Sequence, residues 1–586
     1  MPDKSQEFSI KPLGGLGEVG MNCMLYRFGR KTIPIDCGVL FADTNNFGIE
    51  ALFPDFREFL KTEPEAWLIT HAHEDHIGAI PHLFTLVDYL KVKAPTFYAP
   101  PFAAALIREK MMDDRYPDLR HHLDKVKSVE LNSTLEIGDI SVTFVEVRHS
   151  TPDSCALSFL WKTDGKDLKI FHSADFKIDL NEFEDGVKPL SIFKTFGEER
   201  PDFLMMDSTN ADREGQSVSE RDIIPFLKNV LENRKNRIFV TLFSSNVYRI
   251  ASLIQVAESL GRKVAVAGRS LQTAHRLSMD LNLYEKMPHF HDSTLVDVEM
   301  INHYPKDKQL IICSGSQGEI RSVLSRIADD SHQSLKIDEG DLVLFSSKVI
   351  PGNERMIQRL VNDLMRQGAK VLWADHAKTA AGGPIHASGH ARRAELRTLV
   401  DLLKPRNFIP IHGQVYQMSF CAELASTCAS HWPDMKMNLF TLENCDEIDF
   451  SYRDGEWKKN QFYPLKEEHP PKMLRFENFI APSRDPFLWQ RKQMANNGMI
   501  AVSVDGIASI RVSVHGVFPE YMAGRAPYDD LKNDVESFIR QKIKTEKGLS
   551  LSDPQSESYL SEELSRFIRR SLNMRPFCVV HLVSSR

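Results

Sequence analysis

Four histidine or aspartate side chains able to ligate a metal stand within six residues of one another in Thr70-His71-Ala72-His73-Glu74-Asp75-His76-Ile77-Gly78. That density exceeds what solvation or a helix cap requires. Imidazole and carboxylate donors together suit zinc or a similar divalent ion. His71 and His73, two residues apart, can turn to one ion, while Asp75 and His76 face a neighbouring one. The spacing is not that of a protease H-E-x-x-H, whose histidines lie one helical turn apart. Further donors follow apolar runs in order: Asp36 after TIPI, His149 after VTFVEV and Asp175 after LKIF. A lone aspartate after a strand is ordinarily a turn residue; the ordered succession points to a shared site. Two divalent ions ~3.5–4 Å apart can clamp both the attacking and the leaving oxygen of a displacement at phosphorus.

This segment resembles the H-x-H-x-D-H motif of the metallo-β-lactamase fold. The resemblance implies His71, His73 and His149 on one ion, Asp75, His76 and a distal histidine on the other, and Asp175 bridging them. Small-molecule hydrolases of that fold end soon after these motifs. This chain continues through an α/β stretch to Ile385-His386-Ala387-Ser388-Gly389-His390 and then Ile409-Pro410-Ile411-His412-Gly413. The stretch resembles the β-CASP domain of metallo-β-lactamase nucleases. Asp207 in LMMDSTN matches its first motif, His390 its second and His412 its third, and His412 completes the second metal site.

The set PLGGLGEVGMN, IDCGVLF with FPDF, THAHEDHIGAIP, DSTN, SSN, AVAGRS, SGSQGE, IPGNE, HASGH and LLKPRNFIPIHG is similar, in order, to the bacterial ribonuclease J family. The similarity is strong over 1–450 and weaker over 485–586. Ala72 and Ala174 stand where that family usually has Gly, and Ile320 where it has Pro.

The resemblance implies a phosphodiesterase acting on single-stranded RNA with a 5′-monophosphate, by endonucleolytic and 5′→3′ exonucleolytic cleavage, in RNA maturation and decay. It implies two divalent ions (zinc, with manganese or magnesium as alternatives) and a homodimer or homotetramer. Asp75, Asp207 and His390 are then the catalytic groups, with His390 protonating the departing oxygen and Asp207 orienting it. Substrate contacts are expected from three loops: Ser245-Asn246-Val247, Ser314-Gly315-Ser316-Gln317, and His386-Ala387-Ser388-Gly389-His390. The second reads as a backbone nest opening a helix, suited to phosphate. Arg392, Arg393 and Arg397 line a local positive groove or a solvated helix face.

These side chains need strands and helices to hold them. Residues 1–209 are strand-rich, with short β-type runs such as Met21–Phe28 and Ser141–Val147 and one amphipathic helix after His76. From about 217 apolar strands alternate with helices (RIFVTLF, KVAVAG, QLIICSG, DLVLFSS, KVLWAD), which implies a parallel sheet covered on both faces. The expected fold is α/β: a metallo-β-lactamase αββα sandwich with an inserted β-CASP α/β domain and a small C-terminal α/β domain. The boundaries read as 1–209 for the first part of the sandwich, 210–376 for the insertion, 377–445 for the second part, 446–485 for a polar linker and 486–586 for the last domain.

One motif misleads. Gly15-Leu-Gly17-Glu-Val-Gly20, with Asp36 downstream, has the spacing of a dinucleotide fingerprint. A pyrophosphate needs a helix N-terminus behind that loop. MNCMLYRF follows instead and reads as a strand, making a glycine hairpin.

Composition bounds the rest. The chain has 586 residues, 42% hydrophobic and 26% charged, with a formal net charge of −7. It is no basic glove for nucleic acid, so any positive potential must be local. Eight cysteines without a C-x-x-C argue against a disulfide framework or a cysteine zinc site. The N-terminal MPDKSQEFSI lacks the apolar core of a signal peptide, and no run approaches the ~18 apolar residues of a membrane span. A cytoplasmic protein without a membrane partner is expected. Competing readings are a β-CASP nuclease acting on DNA, a small-ester or lactone hydrolase of the same fold, a non-catalytic scaffold subunit and a flavin-linked di-iron oxidase. The inserted domain and His390 argue against the small substrate, the full ligand set against the scaffold, and the small, divergent C-terminus against the oxidase. Of 21 histidines, His71, His73, His76, His149, His386, His390 and His412 are given roles.

Overall fold

The computed structural model describes residues 7–583 apart from 42–48, 115, 117, 164–166, 180–188, 320, 351, 374–380, 434, 466–471, 477–478, 483–485, 506–508, 518–526, 547–548, 550–552 and 573–574. Ile320 and the KEEHPP part of the expected linker, 466–471, therefore lie outside the described residues. The chain divides into two compact units, residues 1–41 with 51–472, and residues 42–50 with 473–586.

The first unit is built on two mixed sheets packed face to face. One has eight strands, running across the sheet through Glu456–Tyr463, Glu447–Arg453, Glu7–Gly14, Cys23–Phe28, Lys31–Ile35, Trp67–Leu68, Phe97–Ala99 and Val126–Ser128. The other has seven, ordered Thr134–Ile137, Ile140–Glu146, Cys155–Trp161, Leu168–His172, Phe203–Asp207, Asn407–Ile411 and Asn438–Leu439. Alternate side chains of both sheets meet in one core, where Phe8 packs edge-on against Tyr26 and Phe203, and Phe28 stacks on Phe159. Full burial of side chains this size contributes ~1.5–3 kcal/mol each.

The opposite faces carry helices because the strands are apolar on both sides. Leu68 enters the shared core, whereas Trp67 turns away and packs on Phe56 and Phe97. Phe84, from helix Ile80–Leu90, closes over Phe97. On the seven-stranded sheet, Phe171, Leu204, Met206 and Phe408 meet helices Pro189–Glu198, Arg393–Leu403 and Val415–Ser430. The result is the αββα sandwich expected from the sequence.

Between strands Phe203–Asp207 and Asn407–Ile411 the chain makes a separate sheet of five strands. Its order is Lys263–Ala267, Gln309–Cys313, Ile238–Thr241, Leu342–Phe345, Lys370–Trp373, all parallel. Helices such as Val247–Ser259 and Glu354–Arg366 cover it. Phe203–Asp207 and Asn407–Ile411 are themselves parallel neighbours, with Asp207 opposite Ile411, so the chain leaves the sandwich and re-enters it at adjacent strands.

In the second unit, Met499–Asp505 pairs antiparallel with Ser509–His515 and parallel with Phe577–Leu582. Helices Pro527–Thr545 and Pro554–Leu572 share a core with this sheet through Val502, Ile539, Leu564 and Val580.

Three local readings differ from the sequence expectation. Part of the stretch read as a linker is a hairpin, Glu447–Arg453 with Glu456–Tyr463, at the edge of the eight-stranded sheet. Its outer strand exposes most of its polar side chains, as an edge strand does, and this disguised it. Helix Pro101–Met111 was not read at all. Ser314–Gln317 does not open a helix directly, because the next helix, Val323–Ala328, begins after a further turn capped by Ser322. The Gly15 loop is followed by strand Cys23–Phe28, as expected, and not by a nucleotide-binding helix.

Candidate metal centre

The metal-ligating types gather where strands end. Strand Lys31–Ile35 delivers Asp36, and its parallel neighbour Trp67–Leu68 delivers the run from Thr70 to His76. From the facing sheet, the parallel strands Leu168–His172, Phe203–Asp207 and Asn407–Ile411 deliver Asp175, Asp207 and His412. Ligand sites commonly form outside the carboxyl ends of parallel strands.

The H-x-H-x-D-H turn is fixed by backbone bonds to two loops. Asn22 N–H donates to Asp75 O (2.8 Å), Cys37 N–H to His76 O (2.7 Å), Val39 N–H to Glu74 O (3.1 Å) and Ala79 N–H to Cys37 O (2.9 Å). The approach is so close that a Cβ on Gly38 would lie 1.6 Å from Asp75 O. The sequence reading gave Gly38 no role.

The donor atoms form three overlapping groups. His71, His73, His149 and Asp175 make one; Asp75, His76 and His412 another; Asp175, Asp207, His390 and His412 a third. His73 Nδ1 lies 3.1 Å from His71 Nε2 and 3.0 Å from His149 Nε2. Asp175 Oδ2 lies 3.3 Å from His76 Nε2, 3.6 Å from both His71 Nε2 and His412 Nε2, 3.7 Å from His149 Nε2 and 3.9 Å from His390 Nε2. Asp175 is 2% exposed, and its Oδ1 has no hydrogen-bond partner. A buried carboxylate with one oxygen lacking a donor and the other ringed by imidazole nitrogens fits cations better than a closed hydrogen-bond network.

Asp36 is the exception among the expected ligands. Its Oδ2 accepts from His76 Nδ1–H at 2.7 Å, and its Oδ1 accepts from Thr70 N–H at 2.8 Å. It stands behind the imidazole that faces the centre, so it supports a ligand instead of being one. Sequence order could not separate these roles, because both need a carboxylate after a strand. His390 Nδ1–H donates to Asp207 Oδ2 at 2.8 Å, and His149 Nδ1–H donates to Gly389 O at 2.8 Å. A Cβ on Gly389 would lie 2.7 Å from the His149 ring. Asn22, whose Nδ2 is 3.2 Å from Asp75 Oδ2 and 3.0 Å from His76 Nε2, escaped the sequence reading, although it closes the PLGGLGEVGMN run. Thr70 and Thr209 escaped it too, although each adjoins a motif.

The charges interlock. Burial opposes ionisation of Asp175, but the positive charges of His412, His76 and His390 hold its carboxyl well below the usual range. Burial likewise opposes charge on His76, yet Asp175, Asp75 and Asp36 push it up to about 10. Burial lowers His73 to about 4, against the pull of Asp75 and Asp175. Protons on imidazoles thus take the place that cations would take, and metal and protons compete for these nitrogens.

The expected substrate loops are partly engaged. Asn246 caps helix Val247–Ser259 by accepting from Arg249 N–H (3.0 Å), and Val247 is buried. Ser314 Oγ accepts from Val323 N–H (3.2 Å), and Gln317 holds the 348–353 loop through Lys348 O and Ile350 N–H, both at 2.8 Å. Ser388 Oγ accepts from Asn210 Nδ2 (3.0 Å) and His390 N–H (3.2 Å). His386 Nδ1 has no partner, and burial, with Arg249 and Lys348, holds that imidazole well below its ordinary pKa. Arg393 pairs with Glu214 (3.3 Å), and Arg397 is exposed.

An αββα sandwich with clustered histidines and aspartates at its strand ends, interrupted by a parallel α/β insertion, defines a hydrolase of the metallo-β-lactamase fold with a β-CASP domain. Residues 235–364 match the family model "Ribonuclease J, beta-CASP domain", 384–432 "Zn-dependent metallo-hydrolase RNA specificity domain", and 18–196 "Anti-Pycsar protein Apyc1". Ribonuclease J of Helicobacter pylori (strain B128) is 30% identical over 501 residues, spanning 84% of this chain and 67% of that protein. Ribonuclease J of Sinorhizobium meliloti is 35% identical over 430 residues, spanning 72% and 71%. The chain belongs to the ribonuclease J family. A protein of unknown function from Enterococcus faecalis shares the fold, with a TM-score of 0.51 at 16% identity over 76% of this chain and 100% of that one.

Proposed function

We propose that the chain is a metal-dependent ribonuclease that hydrolyses phosphodiester bonds of single-stranded RNA, by 5′→3′ exonucleolytic and by endonucleolytic cleavage. The observation that carries the reading is Asp175, a buried carboxylate ringed by five imidazole nitrogens, with one oxygen left without a partner. Family membership supports RNA over DNA or a small ester.

His71, His73, His149 and Asp175 would hold one divalent ion, and Asp75, His76, His412 and Asp175 a second, with zinc favoured by the nitrogen-rich donor set. Ions there would supply Lewis acidity and a nucleophile at neutral pH. Asp207 accepts a hydrogen bond from His390 Nδ1–H, so Nε2 faces Asp175 and the reacting phosphate. From there His390 passes a proton to the departing oxygen. Asp207 and Asp175 favour the protonated imidazole against burial, raising its pKa above the ordinary value. The unpaired Nδ1 of His386, with Ser388, holds a phosphate oxygen. The 5′-monophosphate preference, the cytoplasmic location and a dimer or tetramer follow the family. We read 1–209 and 377–463, the edge hairpin included, as the catalytic sandwich, 210–376 as the insertion and 486–586 as a C-terminal domain.

The test is purified protein on 5′-labelled RNA, with and without a chelator. Metal-dependent release of mononucleotides plus internal fragments is expected. His390→Ala should lower the rate ~10²–10⁴-fold with bound metal unchanged. Chelator-resistant cleavage, or faster degradation of single-stranded DNA, would overturn the reading.

A further inference from the structure

Asp36 and Asp207 make the same construction twice, from unrelated stretches of chain. Each carboxylate bonds one imidazole directly: Asp36 Oδ2 to His76 Nδ1 at 2.7 Å, Asp207 Oδ2 to His390 Nδ1 at 2.8 Å. Each also accepts from the backbone N–H of a threonine, Thr70 at 2.8 Å and Thr209 at 2.9 Å. Each accepts from that threonine's hydroxyl as well, at 2.9 Å for Asp36 Oδ2 and 2.8 Å for Asp207 Oδ1. The same hydroxyls then meet a second imidazole: Thr70 Oγ1 lies 3.0 Å from His71 Nδ1, and Thr209 Oγ1 lies 2.6 Å from His412 Nδ1.

Proton counting gives these contacts a direction. A hydroxyl has one hydrogen, and an ionised carboxylate can only accept. Thr70 and Thr209 therefore donate to Asp36 and Asp207, and their oxygens accept from the histidines. His71 and His412 thereby keep a proton on Nδ1 and turn Nε2, the atom a cation would take, toward Asp175. The direct bonds do the same for His76 and His390.

We propose that Thr70 and Thr209 are positioning residues, each relaying a carboxylate to an imidazole so that His71 and His412 present Nε2 to a metal ion. This rests on the two-ion reading above. The two relays serve opposite donor groups, His71 beside His73 and His149, and His412 beside Asp75 and His76. Valine would fill either position equally well but removes the acceptor, leaving His71 Nδ1–H without its hydroxyl and His412 Nδ1–H with only Asp207 Oδ1 at 3.4 Å, so that each ring is freer to place its proton on Nε2. Support of this kind typically sets metal affinity by 10–100-fold.

The test compares Thr70→Val, Thr209→Val and the two serine variants. Metal-free protein is titrated with zinc against a chromophoric chelator. Each valine variant should weaken one of the two zinc ions ~10–100-fold and leave the other within a few-fold. Both serine variants should bind like the unsubstituted chain. Ring-¹⁵N spectra of the zinc-loaded protein should show the Nδ1–H signal of one histidine altered in each valine variant, a change that loss of packing alone would not produce. Thr209 is only partly buried, so Thr209→Val keeps the test open should the buried Thr70→Val fail to fold. Unchanged zinc affinity in Thr209→Val, or serine variants as weak as the valine ones, overturns the relay. An unsubstituted chain that binds no zinc, manganese or magnesium overturns the two-ion reading itself, and the relay with it.

Discussion

Three residues at the centre hold backbone conformations that L side chains rarely adopt: Asp36 at φ 59°, Ala174 at φ 49° and His412 at φ 49°. Strain of this kind concentrates at functional sites, where surrounding bonds over-determine the geometry. Ala174 is the informative one, because the family's usual residue there is Gly. A left-handed alanine costs ~1–2 kcal/mol, and a glycine returns ~0.4–1 kcal/mol of that through its freer unfolded state. Ala174→Gly should therefore stabilise the chain by up to ~1 kcal/mol in denaturant unfolding, whereas Ala174→Val should destabilise it. A less stable glycine variant would contradict the strain. Residue types and order made His71, His73, Asp75, His76 and Asp175 legible in the sequence. They hid Asp36's supporting place, Asn22 and the threonines, because a residue behind a ligand carries no spacing of its own.

At the scale of elements, helix Val247–Ser259 is tied to the HASGH loop by a wholly buried guanidinium. Arg249 Nε and Nη2 donate to Glu220 at 2.9 and 3.0 Å, while Nη1 donates to Ile385 O and Ser346 O at 3.0 and 3.1 Å. Removing one partner of such a pair strands the other charge without water. Arg249→Ala should cost about 3–5 kcal/mol in denaturant unfolding and raise KM for RNA by loosening His386 and Ser388. An Arg249→Ala chain as stable as the original would sink the coupling. The parallel sheet was legible because its buried strands are continuous apolar runs such as QLIIC. The hairpin Glu447–Tyr463 was not, because its outer strand buries Trp457 but leaves its last five residues exposed, so that it looks like a linker. Arg249 itself was illegible: an arginine in a helix reads as surface.

Over the whole molecule the formal charge is −7, yet the proposed substrate is a polyanion. Several of the acids counted lie at the centre, Asp36, Asp175 and Asp207 buried and Asp75 half-buried, where bound ions would turn that end of the sandwich positive. RNA affinity should then fall more on stripping metal from the His390→Ala chain than on raising salt from ~50 to ~200 mM, the range in which proteins bound mainly by lysine and arginine lose most of their affinity. Filter binding measures both, and a larger salt effect would place recognition on basic side chains instead. Composition alone gave no sign of this, since it weighs a buried acid and a surface acid alike.

Asp207 and Ile411 are partners in adjacent parallel strands, though the whole insertion separates them along the chain. On the ribosome, the growing polypeptide exposes its first histidines long before His412 emerges. At ~5–20 residues per second the interval from His71 to His412 is roughly 17–70 s. During that time the protein is an unfinished enzyme, with one donor group complete and the other lacking its last imidazole. On the two-ion reading, a nascent chain therefore cannot complete its second donor group until the insertion has been made.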